Sequence, residues 1–155
     1  MSKSYMPFQD TKVSAEQSMG AIMGLLKDTG FQRVAQVYDN GHERIIAVYE
    51  GAEFVFEANS KKISGWLWQR GRITGAEAER RAKNVAWRIV WNQVKNACDL
   101  IKWNVVEVAE IFGGQLAFGP DRKKLASFIV EKIHAGEIEG SRMIAGLLPG
   151  KDGGR

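Results

Sequence analysis

Ten lysines and arginines fall between Lys61 and Lys102 of this 155-residue chain: Lys61, Lys62, Arg70, Arg72, Arg80, Arg81, Lys83, Arg88, Lys95 and Lys102. Only Glu77, Glu79 and Asp99 oppose them there, whereas the whole chain carries a net charge of just +4. The remainder is therefore net acidic, and the molecule has one positive side. Side chains of this type hold phosphates or carboxylates, so the concentration of charge points to a polyanion or an acidic protein surface as partner. Arg81, Arg88, Lys95 and Lys102 recur every seven residues. Seven residues are nearly two helical turns, so on a helix they form one slowly drifting stripe, with Asn84, Asn92 and Asp99 beside it. A solvated face of an amphipathic helix explains such a stripe as well as polyanion contact does.

A second group combines Trp66, Trp68, Arg70 and Arg72. Aromatic rings stack on unpaired bases while guanidinium groups hold phosphates. The alternative is that Trp66 and Leu67 plug the end of a sheet and Trp68 alone faces solvent. Trp87, Trp91 and Trp103 are assigned to the core. His42 falls in a predicted turn, His134 near a helix end, and Cys98 on an apolar helix stripe, where a thiol behaves as a small hydrophobe. The metal-binding spacings CxxC and HExxH and the phosphate-binding patterns GxGxxG and GxxxxGK do not occur. Glu50, Glu53 and Glu57 read as an acidic edge that discourages sheet pairing rather than as a cation site. The expectation is a protein without catalytic residues, metal or cofactor.

The elements that must position these residues are marked by caps and by changes of period. Ser14 with Gln17 is a capping box opening a helix whose apolar positions are Met19, Ile22, Met23, Leu25 and Leu26, and Gly30 is its stop. The period then becomes two. Arg33 to Tyr38 and Arg44 to Glu50 are predicted strands joined at Asp39-Asn40-Gly41-His42, and Glu53 to Ala58 follows a turn near Gly51. Thr74 with Glu77 opens a long helix to Lys102, with Trp87, Val90, Trp91, Val94, Ala97, Cys98 and Ile101 as its core side. Asn104 with Glu107 opens a shorter helix ended by Gly113-Gly114. A last helix follows Pro120, with Asp121 as cap, Leu125, Phe128, Ile129 and Ile133 inward, and Gly136 as stop.

Between Asn59 and Ile73 the pattern predicts a loop of about 15 residues, although part of it fits a short helix or strand. Gly65, Gly71 and Gly75 bracket its aromatic and basic residues. Two readings stand: a segment, Lys61 to Arg72, that orders on a partner, or a fixed loop whose tryptophans complete the core. In the sheet, Ala35, Val37, Ile46, Val48 and Val55 are taken as inward and Val34, Gln36 and Tyr38 as outward. Ile45, Tyr49, Phe54 and Phe56 then need cover from the C-terminal helices or a second subunit, so a homodimer is plausible.

The fold expected is one α+β domain: an arm over 1–13, an α-β-β-β-α core over 14–102, a helical C-terminal subdomain over 103–148 and a disordered tail over 149–155. One cysteine suggests a reducing compartment. The start Met1 to Pro7 lacks the apolar run of a signal peptide, and no stretch reaches the roughly 20 apolar residues that span a bilayer. A soluble cytoplasmic protein is expected.

Helix, three strands, helix is the order of the double-stranded-RNA-binding domain, which this chain resembles over 14–102. Gly41-His42 stands in the turn that this family sets in a minor groove, and Arg80-Arg81-Ala82-Lys83 where the family grips phosphates. The loop before the helix is longer here. The run Arg81 to Arg88, continued through Val94, Lys95, Ala97, Leu100 and Ile101 to Val108, is similar to small uncharacterised proteins of phages and prophages. That resemblance implies a bacterial host cytoplasm and a binder of macromolecules. The residues expected to make contact are Arg80, Arg81, Lys83, Arg88, Lys95, Lys102, Trp68, Arg70, Arg72 and His42. The partner is nucleic acid or, as the rival reading, an acidic host protein; a ligand-sequestering oligomer belongs to the same non-enzymatic class.

Overall fold

The computed structural model describes residues 6–69 and 75–137. Helix α1, Ala15–Thr29, starts at the expected box: Gln17 N–H donates to Ser14 Oγ, and Ser14 N–H donates to Gln17 Oε1, both at 3.1 Å. It ends where Gly30 adopts φ 109°, a left-handed conformation that costs glycine little. Its inner face buries Ala15, Met19, Ile22 and Leu26.

Strands β1 (Gln32–Asp39), β2 (His42–Tyr49) and β3 (Ala52–Glu57) form an antiparallel meander in that order. Asn40 and Gly41, at φ 49° and 79°, make the mirror-image turn whose twist suits a two-residue hairpin. Glu50 and Gly51 repeat it at 48° and 81°. Opposite pairs alternate between faces. Ile45 faces Phe56 and Ala47 faces Phe54 on one side; Arg44 faces Glu57, Ile46 faces Val55 and Val48 faces Glu53 on the other.

The expected inward set is reversed. The core shared with the helices takes Ile45, Ala47, Phe54 and Phe56, with Val34 and Tyr49 packed against it, while Ala35 is exposed. Both alternation classes are apolar, so periodicity could not choose between them. Aromatic rings decide the matter, because they carry the largest apolar area and only the helix side is deep enough for them. Ile46 and Val55 are also buried on the other face. There the Arg44–Glu57 ion pair (2.9 Å) crosses the strands, and Lys124 reaches Glu57 at 3.7 Å; such long side chains cover apolar surface with their stems.

Helix α2, Lys61–Gln69, occupies most of the expected loop. Ile63 and Leu67, four residues apart, fall on one face and join Ala82, Val85 and Ala86 in a second cluster. Helix α3, Gly75–Lys102, lies between α2 and α1. Arg70, Arg72 and the Thr74 cap lie outside the described residues, as does the tail. Asn104 proves to be a stop rather than a start. It takes φ 55°, and with Val105 N–H donating to Leu100 O it closes α3. The short α4, Val108–Phe112, is instead preceded by Glu107, whose N–H donates to Glu110 Oε2 at 2.7 Å.

Asp121 does not cap the last helix either. It stands in the turn of a small hairpin, β4 (Ala117–Phe118) with β5 (Lys123–Lys124), and α5 runs from Leu125 to His134. Gly136 at φ 72° ends α5 as expected. The C-terminal part is therefore helical with a hairpin inserted. It is fastened to the β3 edge by a bridge from Leu116 to Phe54 and by the Arg122–Glu53 ion pair at 2.6 Å.

Ser18, fully buried on α1, has a hydroxyl with no hydrogen-bond partner. Removing an unsatisfied buried polar atom recovers its desolvation cost. Ser18→Ala should therefore raise stability by about 1 kcal/mol, read as a higher urea midpoint at unchanged slope.

Candidate nucleic-acid interface

Helix α3 has three occupied sides. Toward the main core it packs Val90, Val94, Ala97 and Ile101 with the sheet, and toward α2 it packs Ala82, Val85 and Ile89. Toward α1 it presents Asn84, whose Oδ1 accepts from Ala15 N–H at 2.9 Å, and Cys98, whose thiol meets the Thr29 hydroxyl. The start of α1 thus lies on Asn84 and its end on Cys98, so the two helices run parallel and in step. An outward ridge carries Arg81, Arg88, Lys95 and Lys102, with the exposed Asp99 between the last two. Twenty-one residues rise about 31 Å along the ridge.

The support of these cations differs from that of a plain solvated face. Four residues either side of Arg88 stand Asn84 and Asn92, not carboxylates. Arg88 instead lies over Trp91, its guanidinium carbon 3.6 Å from the ring centroid, and Lys95 Nζ stands 5.4 Å from the same centroid. Trp91 is half-buried against the main core, so it braces both charges from beneath. A ring attracts a cation through its quadrupole without cancelling the charge, which stays available to an anion. Arg81 has a loose ion pair with Glu77 at 3.8 Å, about half exposed. The assignment of Trp91 wholly to the core needs that amendment, and Trp103, 81 % exposed, is not a core residue. Trp87 is.

The other expected contact residues are only partly assembled. Arg80 is exposed one position from Arg81. Lys83 is turned to the sheet, where its ammonium lies 2.7 Å from Glu43 on β2; it ties α3 to the first hairpin rather than to the ridge. His42 is exposed in that hairpin, but its register puts it on the face of Arg44 and Ile46, away from the helices. Trp68 is 69 % exposed on α2 while Trp66 packs on the second cluster, the split allowed for by the sequence. Arg70 and Arg72 lie outside the described residues. Of the three clustered glutamates, Glu53 and Glu57 are bound up with Arg122, Arg44 and Lys124.

Burial pushes the Cys98 thiol above its ordinary pKa, with Asp99 adding to the rise and Thr29 and Lys102 opposing it. A thiol kept neutral is a poor nucleophile. Native protein should resist iodoacetamide at pH 8 and react once urea unfolds it. The fold holds the proton more tightly than the unfolded chain does. This contribution to stability is therefore complete below the unfolded thiol's pKa of about 8.5 and is lost as pH rises through the folded value. A Cys98→Ser variant, titrated upward from the unfolded thiol's pKa of about 8.5, should lack that fall.

No helix is long and apolar enough to cross a membrane among the described residues. No known protein family, curated protein or solved structure matches the chain. The residues themselves carry the functional reading.

Proposed function

We propose that this protein is a non-catalytic nucleic-acid binder that grips backbone phosphates along the outward ridge of α3. The observation carrying this reading is the seven-residue recurrence of Arg81, Arg88, Lys95 and Lys102 on an outward side of the helix, with Arg88 and Lys95 braced on Trp91 instead of neutralised. A ridge of about 31 Å spans close to one turn of duplex and reaches phosphates on both sides of a groove. Phosphate contacts carry no sequence information, so binding should be indifferent to base order.

The test is fluorescence anisotropy on a short duplex and a single strand across salt. Four neutralised phosphates would give a log–log slope of about −3.6 on duplex DNA. Failure to bind either form near 50 mM salt, where such contacts are strong, removes this reading.

A rival reading draws on Trp68 and Trp103, which expose large rings on a protein with no catalytic motif. Tryptophans anchor protein interfaces. In that case a stoichiometric acidic host protein survives nuclease treatment in a pull-down, and Trp68→Ala releases it.

A further inference from the structure

At the N-terminal end of the ridge the arm preceding α1 crosses α3 and leaves a cleft of about 380 Å³. Gln9, Asp10 and Lys12 stand on the arm side; Arg80, Arg81 and Asn84 stand on the helix side. The arm is anchored at both ends. Met6 packs on the cluster between α2 and α3, and Ala15 N–H donates to Asn84 Oδ1. Between these points Gln9 N–H donates to Met6 O and Thr11 N–H to Phe8 O, at 3.2 and 2.9 Å, so the wall is itself turned and bonded.

Charge in the cleft is out of balance. Lys12 and Arg80 are exposed and have no carboxylate partner among the described residues, and Arg81 keeps only its loose pair with Glu77. Asp10 is the one acid among the described residues that line the cleft. Asn84 spends its oxygen on Ala15 and so retains two N–H donors. Cations drawn together on two facing walls repel one another unless an anion sits between them, and arginine meets phosphate oxygens in a fork. The volume lies at the small end of ligand sites, enough for a phosphoryl group with its sugar. Arg81 belongs both to the ridge and to the cleft, so the ridge leads into it and the arm stands across the end.

We infer that this cleft binds a phosphate monoester, the dianionic group shared by a mononucleotide and the phosphorylated end of a nucleic-acid strand. Lys12 and Arg80 supply the charge and the Asn84 amide supplies neutral donors. An internal phosphate is a monoanionic diester, so the site prefers an end to the middle of a strand. The cleft stands on residues other than Arg88, Lys95 and Lys102, and its occupancy does not depend on the ridge reading.

The experiment has two arms at about 100 mM salt, where weak surface attraction is screened. AMP is compared with adenosine by thermal shift, and end-phosphorylated hexathymidylate with the unphosphorylated strand by anisotropy. A response to AMP and not adenosine assigns a mononucleotide; a preference of about fivefold or more for the phosphorylated strand, the size expected of a charge-assisted contact, assigns a strand end. Either response should vanish in Lys12→Ala and return in Lys12→Arg. Lys12 is exposed, so the variant folds. No discrimination in either arm, or discrimination that survives Lys12→Ala, overturns the inference. A hexamer that does not bind at all while AMP still shifts the melting temperature leaves this inference standing for a mononucleotide, and the ridge reading is judged on the duplex near 50 mM salt.

Discussion

Replacing Arg81, Arg88 and Lys95 together by alanine should lower affinity for duplex DNA by about 500-fold at 0.1 M salt and by almost nothing near 1 M. Each phosphate contact releases a condensed counterion, which contributes about 0.9 of a decade in affinity at 0.1 M, and three contacts are removed. The log–log slope should fall from about −3.6 to about −0.9, leaving Lys102. The fold should hardly notice. Arg81 is exposed, Lys95 is exposed, and Arg88 gives up only its stack on Trp91, worth about 1 kcal/mol. Trp91→Leu is the informative companion, because it keeps all charges and removes their brace. It should weaken binding by about three- to fivefold, since ordering two long side chains then costs more. A triple variant with an unchanged slope would mean that the phosphates are held elsewhere and that the ridge is only a solvated face.

What could be read from the residues follows where one physical signal acts without a rival. The capping box at Ser14, the stop at Gly30 and the Asn40-Gly41 turn each depend on one local backbone demand, and each stands where the pattern placed it. The cation ridge was legible for the same reason, since helical spacing alone defines it. Asn104 and Asp121 misled because a small polar residue before an apolar run suits a helix start, a helix stop or a turn equally well. Neighbouring structure chose the latter two. The segment from Lys61 showed glycine and tryptophan but only two core positions, Ile63 and Leu67, and a helix so short has little periodicity of its own; contact with α3 stabilises it. The cleft between the arm and α3 was not legible at all. Lys12 and Arg80 are far apart in the chain, and what unites them is the anchoring of Met6 and Ala15.

Phe31→Ala should be the most destabilising single substitution among those considered, costing about 3–5 kcal/mol. Its position follows from how α1 ends. Gly30 N–H donates to Lys27 O and Phe31 N–H to Leu26 O, the paired bonds of a left-handed helix stop, which set the residue after the glycine against the last inner leucine. From there its ring meets Tyr49 (5.1 Å between centroids), Phe54 (5.7 Å), Phe56 (6.4 Å) and Phe112 (5.9 Å). One side chain thereby joins α1, two strands and α4, and it is 4 % exposed. Alanine would leave a cavity bounded by four rigid rings that cannot close over it, which is the case where the cavity penalty is largest. Phe112→Ala breaks one of those ring contacts, with Phe31, and its own contact with Phe56, and should cost less. Urea midpoints of the two variants give the comparison, and a Phe31→Ala cost below about 1.5 kcal/mol would show that the cluster repacks. The surviving folded fraction then separates scaffold from function. Trp87, Val94 and Cys98 hold α3 in the main core without touching the ridge. Folded Phe31→Ala protein should therefore keep the parental salt slope while losing much of its stability, whereas the ridge triple should keep the stability and lose the slope.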